Sequence, residues 1–226
     1  MRWTYGIPQK LKTASLLLGI MALVVLFNLI ERSNVAQLNQ SVNSIYKDRL
    51  IPATDIFYMT EHLYEKRFAM ENFLAEDSNG TSNVKAKLAS HNRALDTLVQ
   101  KFEQTYLIGS ESAFLASFRN KARRYAEVEQ QTLSMIENNR KIEGRAFYKT
   151  NGNASLKDTI QQLAELTKVQ TTVGGQLLDN SRGVLAVSKL VSSLQIVLTL
   201  IIGFMINSLI SASKIMRPRG QSAHLN

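Results

Sequence analysis

The sequence predicts an all-α protein, an up-down-up-down four-helix bundle flanked by two transmembrane helices. Three observations carry that expectation. Two apolar runs, 14–30 and 190–210, stand near the two ends of the chain, each close to the ~20 residues a helix needs to cross a bilayer. Between them, apolar residues recur at helical spacing over four stretches separated by turn-forming residues. The charges are sorted as well. All 18 acidic residues lie between Glu31 and Asp179, whereas Arg2, Lys10, Lys12, Lys214, Arg217 and Arg219 stand outside the apolar runs with no acid beside them.

The first run, ASLLLGIMALVVLFNLI, follows two lysines and so shares a feature with cleaved signal peptides. It is long for the apolar region of such a peptide, no small-x-small cleavage site follows, and the next residues are already amphipathic. An uncleaved signal anchor over 14–30 is therefore expected, after a cytoplasmic N-terminus at 1–13. The second run, LVSSLQIVLTLIIGFMINSLI over 190–210, predicts the second span, and 211–226 a short cytoplasmic tail. Ser192, Ser193, Gln195 and Asn207 are expected to face the first span or a second copy. Basic flanks on both runs place both termini on the cytoplasmic side and residues 31–189 outside the bacterial cytoplasmic membrane, which is the inner membrane, with a periplasm beyond it, if the cell has two. The net charge of +9 then reflects a membrane partner, and nucleic acid is not expected as one. The chain has no cysteine, which excludes disulfides, thiolate metal sites and cysteine nucleophiles.

The first outer helix is expected over 41–76. Its three-four spacing starts at Val35, Leu38, Val42 and Ile45 and continues through Ile56, Met59, Leu63, Met70 and Phe73. Arg49, Pro52 and Lys66 occupy seam positions among these residues. A proline inside a helix costs ~3 kcal/mol, so a bend or break is expected at 50–53. Arg49 in a bundle core needs a carboxylate or ligand partner, and an acid on a neighbouring helix is the expected one. Lys66 reads equally as a snorkelling side chain. Asp77-Ser78-Asn79-Gly80 predicts the first turn.

The second helix is expected at 83–107, with Val84, Leu88, Leu95, Leu98 and Phe102 inward and Gly109 as its stop. His91 shares that face and reads as a hydrogen-bonded core residue; no metal site is expected. The third is expected at 112–148, using Phe114, Phe118, Tyr125, Val128, Met135, Ile142 and Phe147. Beside its aromatic stripe, Arg119, Lys121, Arg123 and Arg124 read as a solvated face, with a carboxylate-binding patch as the functional alternative. Thr150-Asn151-Gly152-Asn153 predicts the third turn. From Leu156 the last helix runs without a stop into the second span, with a polar, small middle at Thr167, Gln170, Thr171, Thr172, Gly174 and Gly175. No zinc-protease, nucleophile-elbow, Walker or dinucleotide motif is present, so neither an enzyme nor a cofactor is expected.

Two spans enclosing four helices, with Tyr46-Lys47-Asp48-Arg49-Leu50-Ile51-Pro52 on the first outer helix, resemble the four-helix-bundle ligand-binding region of bacterial methyl-accepting chemotaxis receptors. The resemblance covers about residues 10–218. It implies a dimeric outer bundle that holds ligand between helices near the membrane-distal end and moves its last helix like a piston. Tyr46, Arg49 and Pro52 are the structural positions it marks. Amino-acid-binding members use arginines on the first helix and polar groups on the last. Of these, Arg67 sits at a comparable level here, beside Lys66, with Thr171 or Thr172 expected to face it from the last helix. Lys66, Arg67, Thr171 and Thr172 are the candidate ligand-binding residues, and no amino-acid ligand is carried over. Lys214-Ile215-Met216-Arg217-Pro218 resembles the start of a HAMP linker. The expectation is a sensory half lacking the HAMP and cytoplasmic signalling regions, whose output passes to a separate cytoplasmic or membrane signalling partner. Expected partners are therefore a second copy and a small-molecule ligand. The alternative is a non-sensing adaptor that pairs with full-length receptors.

Overall fold

The computed structural model describes residues 6–76 and 80–215, with side chains over 15–76 and 80–208. Asp77, Ser78 and Asn79 of the expected first turn lie outside the described residues. So do Arg2, the tail from 216 on, and the side chains of Lys10, Lys12 and Lys214. Two compact units are present, one of residues 41–179 and one made of the segments before and after it.

The described residues form helices and no strand. α1 spans Gly6–Ser44 and passes through a π-helical turn, Ile45–Leu50, into α2, Ile51–Ala75. α3 is Ser82–Glu103 and α4 is Gly109–Glu137. α5, Lys141–Phe147, passes through a second π-helical turn, Tyr148–Gly152, into α6, Asn153–Ile215. Within the 41–179 unit these make four bundle helices. α2 and α3 run antiparallel, since Asp55 pairs with Lys101 and His62 meets His91. α2 and α4 run parallel, because Arg49–Glu111 and Lys66–Glu129 join them at nearly the same sequence offset. The core between them is mainly apolar, with Met59, Leu63, Met70, Phe102, Phe118, Leu133, Leu163 and Leu166 fully buried.

Three boundaries differ from the expected ones, each for a local reason. At Pro52 the helix does not break; it widens just before the proline. Proline has no N–H to give and its ring crowds the carbonyl four residues back. The π turn resolves both, the Ile51 N–H reaching five residues back to the Tyr46 carbonyl, and Pro52 then sits in the first turn of α2, where no N–H is needed. Gly109 does not stop α3, which ends at Glu103; it starts α4 instead.

The third difference is the largest. The chain reverses at Asn138-Asn139-Arg140, and Thr150–Asn153 stays helical. Asn139 has φ 62°, a left-handed conformation that asparagine tolerates better than most residues. Gly152 serves packing instead of a turn: a Cβ there would lie 2.7 Å from the Tyr148 ring. Because the fourth bundle helix begins at Lys141 in a new phase, Ile142, expected inside, is 84% exposed. Val35 and Val42 of the expected seam are exposed too.

In the other unit, the apolar side chains of 15–30 and 190–208 stand largely exposed. The helical stretches 15–75 and 141–208 are long and apolar enough to cross a membrane. The Ser188 hydroxyl donates to Glu31 at 2.6 Å, joining α1 and α6 there.

Candidate functional site

Two charged layers cross the apolar core of the bundle. The first is built on Arg49, 5% exposed, in the π turn that Pro52 requires. Its guanidinium pairs with Glu111, which is fully buried, and donates to Gln170 Oε1 at 3.3 Å and to the Tyr106 carbonyl at 3.4 Å. Gln170 Nε2 in turn donates to Glu111 Oε1 at 2.7 Å. Glu111 sits in the first turn of α4, where helix N–H groups favour a negative charge. Its second oxygen accepts the Ile108 N–H at 2.8 Å, which is one half of a capping box. One carboxylate therefore starts α4, neutralises Arg49 and orients Gln170 of α6. Asp48 adds to the layer, accepting from Ser44 at 2.8 Å and from the Tyr106 N–H at 3.3 Å.

The second layer lies 17 residues further along α2, ~25 Å at 1.5 Å per residue. Lys66 is fully buried with its Nζ 3.0 Å from Glu129 Oε2 and 4.8 Å from the centre of the Tyr125 ring. The ammonium and Glu129 Oε1 make no aligned hydrogen bond, so this is an ion pair held by charge and by the ring face. Burial pushes Lys66 below the ordinary lysine range, against the attraction of Glu129. Burial pushes Glu129 up, against the attraction of Lys66. Tyr125 shares a 2.8 Å hydrogen bond with Tyr148, and burial raises both phenols.

The four positions expected to bind ligand do not converge. Lys66 is committed to Glu129 inside the core. Arg67 lies near the surface and pairs with Glu71 one turn on, at 2.7 Å. Thr171 and Thr172 are exposed and donate to carbonyls one turn back. They also follow Gln170, which bonds Arg49, so they stand at the level of the first layer, ~25 Å from Lys66. Arg49 has the acidic partner its burial demands. Tyr46 is exposed.

Glu111 and Glu129 were not expected to be core residues. The signal lay in α4, where Glu111, Leu115, Phe118, Tyr125, Glu129, Thr132 and Ile136 are all buried at three-four spacing. Carboxylates on that seam answer the two bases on the α2 seam.

One concavity of ligand size lies elsewhere, between α3 and α4. It is a groove of about 510 Å³ with Leu95, Val99 and Phe118 along its floor. Asn92, Asp96 and Gln100 line one wall and Arg119 and Arg123 the other. Arg119 also pairs with Glu103 at 2.9 Å, and Arg123 is exposed. Among the described residues no three His, Cys, Asp or Glu side chains gather as a metal cage.

A family model described as a four helix bundle sensory module for signal transduction matches residues 5–184, most of the chain. No curated protein and no solved structure gives a significant match.

Proposed function

We propose a function on the ground of kinship: the chain belongs to the four-helix-bundle sensory modules of methyl-accepting signal-transduction receptors, and it senses a small solute outside the inner membrane. The observation that carries this reading is the continuity of α6. A single helix over Asn153–Ile215 holds both Gln170, bonded into the Arg49–Glu111 layer, and the second apolar run. A solute that prefers one position of that helix shifts its population by its differential affinity, and the second span moves with it. The spans are 14–30 and 190–210, with both termini cytoplasmic and the bundle outside, as the basic flanks favour.

The α3–α4 groove supports a solute with a carboxylate. Arg123 supplies a charge-assisted donor, Asn92 and Gln100 neutral hydrogen-bonding groups, and Asp96 a counter-charge for an amine. The chain also works as a homodimer. Tyr46, Leu50, Phe57, Tyr64 and Phe68 form an exposed apolar stripe along one side of the π turn and α2, of the kind that marks a contact surface. The same stripe favours the second reading, an adaptor that pairs with receptor chains.

Thermal unfolding of the full chain in detergent, screened against amino acids and small organic acids, tests the sensor reading. A saturable rise in Tm that Arg123→Ala removes is expected. If no solute stabilises the chain while affinity capture from membranes retrieves receptor chains, the adaptor reading replaces it.

A further inference from the structure

His62 of α2 and His91 of α3 face each other across the hairpin, both half-buried. Their Nδ1 atoms are 3.2 Å apart, and the ring centres are 5.3 Å apart at a tilt of 52°. The rings are therefore not stacked; they meet through their nitrogen edges. Two metal–nitrogen bonds of ~2.0–2.1 Å at a tetrahedral angle place the nitrogens ~3.3–3.4 Å apart. The observed separation already matches that of a chelating pair. The two histidines sit on the hairpin partners whose antiparallel register Lys101 and Asp55 also hold, so the spacing does not depend on a loop. Beside His91 is a cavity of about 420 Å³ that Glu65 and Lys87 also line. It leaves space for water or solute ligands on the His91 side. No third His, Cys, Asp or Glu closes around the pair among the described residues, so the protein supplies two ligands and the remaining positions stay exchangeable.

We propose that His62 and His91 form a two-imidazole site for a divalent transition-metal ion of the Ni²⁺, Cu²⁺ or Zn²⁺ class. Imidazole suits these ions, whereas Mg²⁺ and Ca²⁺ seek oxygen. A bound ion clips α2 to α3 and fixes the register of that hairpin. The site is independent of the α3–α4 groove and of any carboxylate solute.

The test uses the full chain in detergent, stripped of metal with chelator, titrated calorimetrically with NiCl₂, ZnCl₂ and MgCl₂ and melted by circular dichroism. One Ni²⁺ or Zn²⁺ per chain is expected, with a raised Tm and no response to Mg²⁺. His62→Ala and His91→Gln should each weaken binding at least tenfold. His224→Ala, which removes the one other histidine, should leave it unchanged. In the unaltered chain, the electron paramagnetic resonance spectrum of bound Cu²⁺ should show two coupled imidazole nitrogens, a readout that needs no variant to fold. Saturable binding that survives in the His62→Ala/His91→Gln double variant, binding lost only with His224, or the absence of saturable binding overturns the proposal and leaves the pair as a hydrogen bond.

Discussion

At the scale of single residues, the two charged layers are the least forgiving part of the bundle. Removing one partner of a buried ion pair strands the other charge in the core, at a cost of ~3–5 kcal/mol, while replacing both with apolar groups is often neutral or stabilising. Lys66→Met alone is therefore expected to lose about that much in a denaturant titration. Lys66→Met combined with Glu129→Leu should recover most of it. A double variant no better than the single one would mean that the Lys66–Glu129 contact is not what stabilises either charge. Acid sensitivity arises at other residues, Glu137 among them. Hydrogen bonds from Lys85 and Thr81 hold the Glu137 carboxyl below its ordinary value. Its contribution is thus present above the unfolded carboxylate range near 4.5 and is lost as pH falls through the lower folded value. Glu137→Gln should flatten the acid limb of a stability-against-pH curve and leave the neutral region nearly unchanged.

At the scale of elements, glycines and one asparagine separate turn chemistry from packing. A Cβ at Gly152 would press on the Tyr148 ring at 2.7–3.1 Å, an overpacking that typically costs ~1–3 kcal/mol. Gly174 and Gly175 of α6 have open space around them. Alanine there should stabilise by ~0.5–1 kcal/mol, because it restricts the unfolded chain and favours helix. Thermal melts of the three alanine variants should therefore shift in opposite directions. Asn139 gives the matching test of the reversal, since a β-branched residue is strained at its φ of 62°. Asn139→Val is expected to destabilise by about 1–2 kcal/mol and Asn139→Gly to be nearly neutral. If Thr150–Asn153 were the turn, Asn139→Val would be silent.

For the molecule as a whole, the question is what covers the apolar stripe on α2. The chain has no cysteine, so single cysteines report contacts between copies without background. Oxidative cross-linking in membranes is expected to peak with cysteine at 57, 64 and 68 and to vanish at 59 and 63, which are buried in the bundle. Uniform cross-linking, or none, would count against a dimer through this face.

How much of this was legible in the sequence depends on the range of the interaction. Hydrophobic periodicity, the length of the apolar runs and the sorting of charge are local or compositional, and they determined the all-α class, the four-helix bundle and the seam of α2 from Ile56 to Phe73. The demand that Arg49 find an acid was legible too, because burying an unpaired guanidinium is costly wherever it happens. Which acid answers it was not. The partners Glu111, Glu129 and Gln170, and the meeting of His62 with His91, join residues 29 to 121 positions apart, and no local pattern encodes the register of one helix against another. The third turn failed for a related reason. Thr150–Asn153 and Glu137–Arg140 both hold asparagines suited to a reversal, and the choice between them rested on packing, the Tyr148 ring over Gly152 and the shared hydrogen bond with Tyr125. Propensity set where the chain was able to turn, and burial of that tyrosine pair decided where it does.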